Sequence, residues 1–200
     1  MTQALRSLLF SALMLCPGFA FAHTPIKGIN NFYNGALHPL LVPSHLLLLI
    51  AFGLFLGQQG MKEKQGAIMV FMLATLLGLI AAWFSPGTPL EQVMLSSAAV
   101  IGILVALSPR LILPWCTIVA AICGLLLGID STQESLSGEA KFVTLFGSGA
   151  GIYFFSLYPM ALADYFNKVH WQQIIIRVMG SWLAASALLV LALSLRGQLL

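Results

Sequence analysis

His38-Pro39-Leu40-Leu41-Val42-Pro43-Ser44-His45-Leu46-Leu47-Leu48-Leu49-Ile50-Ala51-Phe52-Gly53-Leu54-Phe55-Leu56-Gly57 contains no Asp, Glu, Lys or Arg. A bilayer core about 30 Å thick is crossed by roughly 20 such residues in a helix. The stretch therefore reads as a membrane span, and the rest of the chain follows it. Its opening carries two histidines and two prolines. His38 and His45 are seven apart, so on an ideal helix they share a face. The rise between them would be roughly 10 Å, which makes two successive stations rather than one chelate. Pro43 alters this, because it cannot donate to residue 39 and its ring clashes there. A kink or unwound turn across Leu40–Pro43 brings the imidazoles closer. Broken helices at membrane depth line cavities, because the freed backbone groups need partners. Ionisable residues in spans are candidates for function. A purely structural role, with His38 at the headgroups and His45 on a carbonyl, stays open beside it.

Composition agrees with a membrane class. Of 200 residues, 60% are hydrophobic and 8% charged, against about 25% charged in soluble domains. The net charge of +3 is small and dispersed, and there is no basic run to attract nucleic acid. Residues 1–22 resemble a secretory signal peptide: Arg6, the apolar Leu8–Leu15, then Pro17-Gly18 and Ala20-Phe21-Ala22. Cys16 suggests a lipoprotein, but Leu15 stands where a small residue is wanted. Cleavage after Ala22 leaves His23 as the amino terminus. Its amine and imidazole could close on one ion; an accident of the cleavage site is the other reading.

The fold class expected is all-α: a polytopic membrane helix bundle, one domain over 23–200, with six transmembrane helices after signal-peptide removal. Apolar runs place them at about 38–57, 66–84, 89–108, 111–129, 142–164 and 173–195. Each is apolar all round, as lipid-facing helices are. With the mature amino terminus outside, Lys62, Lys64, Arg110, Lys168 and Arg177 fall on the cytoplasmic side. Lys27, Lys141 and Arg196 fall outside, with most of the acids: Glu91, Asp130, Glu134 and Glu139. This is the positive-inside asymmetry, and it puts the protein in a bacterial inner membrane. Gly53/Gly57, Gly124/Gly128 and Gly147/Gly151 place small residues one turn apart for close helix packing.

Other residues weigh less. Cys116 and Cys123 are seven apart, beyond disulfide reach on one helix, and suit packing better than a soft ion. Met69 and Met72 suit Cu(I) or gap-filling. Asp164 is an exit site, a proton-coupled group or a solvated helix end. Tyr158, next to Pro159, offers a polar handle inside the bundle. Ser148 in Gly147-Ser-Gly-Ala-Gly151 has no histidine expected at its depth, so an enzyme is not expected.

The opening stretch resembles the HupE/UreJ family of small membrane proteins, whose first mature helix carries H-P-x-x-G-x-D-H before a leucine-rich run. His38, Pro39 and His45 match; Val42 and Ser44 replace the glycine and the aspartate. The family's later H-G-x-x-H-G-x-E corresponds to Cys123-Gly-Leu-Leu-Leu-Gly-Ile-Asp130, where only the glycines and the terminal acid persist. The resemblance implies a nickel or cobalt permease, with copper also chemically admissible, and His38, His45 and His23 as metal ligands. The ion is then a substrate, and no tightly bound cofactor is expected. The partners expected are the lipid bilayer and the ion, with a homo-oligomer or a partner membrane protein left open. Two alternatives stay beside it: an accessory or assembly membrane protein that has lost most ligands, and a small-solute channel.

Overall fold

The computed structural model describes residues 29–84, 90–132 and 136–197. Among them there are only helices: α1 Asn31–Leu41, α2 Pro43–Gln58, α3 Gln65–Phe84, α4 Glu91–Leu107, α5 Leu113–Ile129, α6 Gly138–Phe166 and α7 His170–Gly197. Three of these, α3, α6 and α7, are long and apolar enough to cross a membrane, and four if α1 and α2 form one bent span. The remaining two, α4 and α5, are apolar helices of 17 residues each. The expected signal peptide, Cys16, His23, Lys27 and Glu134 lie outside the described residues.

The expected first span, 38–57, is corrected in two ways. The helix begins seven residues earlier than His38, at Asn31, where Asn30 accepts a hydrogen bond from the Phe32 N–H through its side chain. It then breaks. Val42 is extended at φ −90°, ψ 115°, and the two arms bend by 72°. The residue before a proline avoids the helical region because the ring crowds its backbone. Pro43 then sits in the first turn of α2, where a missing N–H costs nothing.

Beyond this break, α2 is the central helix. Leu48, Leu49, Phe52 and Phe55 are fully buried, and Phe52 stacks on Phe71 of α3 with centroids 4.5 Å apart. Its all-round apolar surface thus faces protein, not the lipid expected for it. The lipid-like surface belongs to α7, where Trp182, Leu189 and Leu193 stand exposed.

Both arms of the bent pair lie along α6. On α1, a methyl added at Gly35 would strike the Thr144 carbonyl; added at Gly147 or Gly151 of α6, it would strike the carbonyls of Phe32 or Ala36. On α2, Gly53 makes room for the Pro159 ring. Close backbone approach thus anchors each side of the break to one long helix. Elsewhere Gly78 meets Gly128 between α3 and α5, and Gly102 meets the Gly180 region between α4 and α7.

The loops gather at two ends. At one, the Gln59 side-chain amide donates to Pro109 O (2.8 Å) and accepts from Leu111 N (2.9 Å). There Asn167 donates to Gln58 O at 2.8 Å, and Asp164 accepts the Met61 N–H at 3.1 Å. Asp164 therefore fastens a loop. At the other end, Thr132 donates to Ala82 O and Lys141 to Trp83 O.

Candidate functional site

The break at Val42 places His38 in the last turn of α1 and His45 in the first turn of α2. Both are buried. Their rings meet edge to face with centroids 5.0 Å apart, well inside the roughly 10 Å rise of an unbroken helix. The bend thus turns two stations into adjacent imidazoles. His23 lies outside the described residues, so only two of the three expected ligands are placed together.

A residue expected in an outer loop joins them. Asp130, at the C-terminal end of α5, is 8% exposed, and its Oδ2 lies 2.9 Å from His45 Nε2. Its other oxygen, Oδ1, accepts the backbone N–H of Leu90 at 3.2 Å, at the entrance to α4. The result is a buried row, His38–His45–Asp130, that ties the helix break to the ends of two further helices. A buried carboxylate needs such partners, because an uncompensated charge there is very costly. The signal in the sequence is the terminal acid of Gly124-x-x-x-Gly128-x-Asp130, which matches the family pattern.

The row is a chain rather than a cage. Among the described residues, no group of three or more His, Cys, Asp or Glu side chains converges to hold one ion. Ser44, where the family pattern has an aspartate, is 2% exposed, and its Oγ has no hydrogen-bond partner among the described residues. Cys123 and Leu127, where the pattern has histidines, are packed in the apolar core as free thiol and side chain. Cys116 is likewise a buried free thiol.

Other candidates separate from the site. Met69 and Met72 are exposed on the outer face of α3. Tyr158, expected inside the bundle, is 69% exposed and points away from it. Ser148 is fully buried against the α1 backbone at Gly35. A groove of about 730 Å³ between α3 and α6 is lined by Leu76, Leu79, Trp83, Phe142 and Phe146. Its walls carry no His, Asp, Glu, Lys or Arg side chain.

A family model described as HupE / UreJ protein matches residues 11–190. The comparisons with curated proteins and with solved structures returned no match.

Proposed function

This chain belongs to the HupE / UreJ family, and from that premise we propose that it binds a transition-metal ion at the outer mouth of its bundle and passes it across the membrane. The observation that carries this reading is the pair of buried imidazoles, His38 and His45, brought to 5.0 Å by the break before Pro43. Imidazole nitrogen suits nickel, cobalt and copper, and ligand type alone does not choose among them. His23, once freed at the amino terminus by cleavage after Ala22, would supply the remaining nitrogens. No bond is broken in this role, so the protein is not an enzyme.

The same proposal has six spans: the bent pair as one, then α3 through α7. The mature amino terminus and the histidines lie outside, and the protein sits in the inner membrane. A second reading, an accessory or assembly protein of the family, draws on one observation. Cys123 and Leu127, at the positions of the family's second histidine pair, serve the apolar core.

Metal titration of the purified, signal-cleaved protein tests the first reading. Wild type, His38→Ala and His45→Ala are compared with nickel, cobalt and copper salts. Imidazole must be neutral to ligate, so protons compete with the ion and acid weakens binding. Wild type is expected to bind at about pH 7.5, to weaken at about pH 5.5, and to lose affinity in each variant. Equal binding by all three, or binding by none, transfers the case to the accessory role.

A further inference from the structure

We propose that Asp130 is a positioning residue and not an ion ligand: it holds the proton of His45 on Nε2 and so leaves the Nδ1 lone pair as the atom that faces the ion. The inference rests on the metal-binding role proposed above and specifies how that site is built.

Three observations carry it. A carboxylate only accepts, so the 2.9 Å contact requires the hydrogen to sit on His45 Nε2. Both Asp130 oxygens already have protein partners, Oδ2 in His45 and Oδ1 in the Leu90 N–H, which fix the carboxylate against the ring. His45 is fully buried, and its Nδ1 has no hydrogen-bond partner among the described residues. With hydrogen on Nε2, a neutral imidazole offers Nδ1 only as an acceptor. A doubly protonated ring would instead bury an N–H with nothing to receive it. The ring edge that the protein leaves unpaired is therefore the one suited to an ion. Ligating histidines commonly donate their other ring N–H to a carboxylate, which fixes tautomer and ring orientation. Here the orienting acid comes from α5, the ligand from α2, and the acid's own support from the start of α4.

The test combines imidazole nitrogen spectra with binding of cobalt chloride as the probe. Full-length, signal-cleaved protein labelled with ¹⁵N-histidine is measured without metal, with His45→Gln to assign the signals. Wild type should show hydrogen on Nε2 of His45. In Asp130→Asn the amide oxygen must still accept from Leu90, so the amide NH2 turns to His45 and moves its hydrogen to Nδ1. Cobalt affinity should then fall by about tenfold or more. Asp130→Glu keeps a carboxylate and should retain the Nε2–H form and most of the binding; it also guards against a folding defect. Loss of cobalt in Asp130→Asn with hydrogen still on Nε2 would make Asp130 a ligand and overturn the inference alone. So would a moved hydrogen with unchanged affinity. If wild type itself binds no cobalt while showing the Nε2–H form, the metal-binding role fails, and this inference with it.

Discussion

A methyl group on Gly147 would run into the carbonyl of Phe32, so one absent side chain decides how closely α1 can lie against α6. Gly147→Val is expected to destabilise the fold by about 1–3 kcal/mol, the usual cost of overpacking. Because α1 carries His38, the same change should weaken metal binding as the imidazoles separate. Thermal unfolding in detergent, paired with cobalt titration, checks both; an unchanged midpoint would show that the contact relaxes freely. Gly147 was legible in the sequence, since its spacing to Gly151 announces a packing face. Asp130 was not. Its neighbours Ser131 and Thr132 read as a loop, and nothing local marks it as buried. Its environment is set by His45, 85 positions earlier in the chain. The partner of a buried charge is a tertiary fact, even when both residues stand out individually.

At the scale of the element, the break between α1 and α2 was legible and the start of α1 was not. Pro43 announces the break through sterics that any sequence containing it would share. Asn30-Asn31-Phe32-Tyr33-Asn34-Gly35 is too polar to announce a membrane helix. It is helical because Asn30 caps it and Gly35 seats it on Thr144. The all-round apolar character of α2 identified burial but not the medium, because lipid and protein interiors select the same side chains. Pro43→Ala restores an N–H and removes the clash, so the bend of 72° should open. Spin labels at Tyr33 and Gln59 should move apart by several ångströms toward the roughly 39 Å of a straight helix over that interval. The His38 and His45 rings should part with them, and cobalt affinity should drop. An unchanged label distance would show that packing on α6, rather than the proline, holds the bend.

For the whole molecule, helix length alone recognises three or four crossings, and the arrangement of the loops argues for six. A helix of 17 residues is roughly 25 Å long, short of a bilayer core of about 30 Å but at the lower limit for a span. The α4–α5 loop, through Pro109 and Leu111, shares one end of the bundle with the α2–α3 loop at Gln59. The α6–α7 loop joins them there through Asn167. Connections that meet in this way fit the six-span proposal, in which α4 and α5 cross with their longer neighbours. The shared end also carries Lys62, Lys64, Arg110 and Lys168, while Asp130, at the end of α5, accepts the Leu90 N–H and Lys141 donates to Trp83 at the other. Lysine and arginine near span ends are retained in the cytoplasm, so the topology proposed above has the first set inside and the His45–Asp130 pair outside. Reporter fusions after Arg110 and Lys168 should therefore read cytoplasm, and one after Ser137 should read the exterior. A cytoplasmic reading at Ser137 would mean that α4 and α5 do not both cross. The paired histidines would then face the cell interior, and an ion could not meet them first from outside.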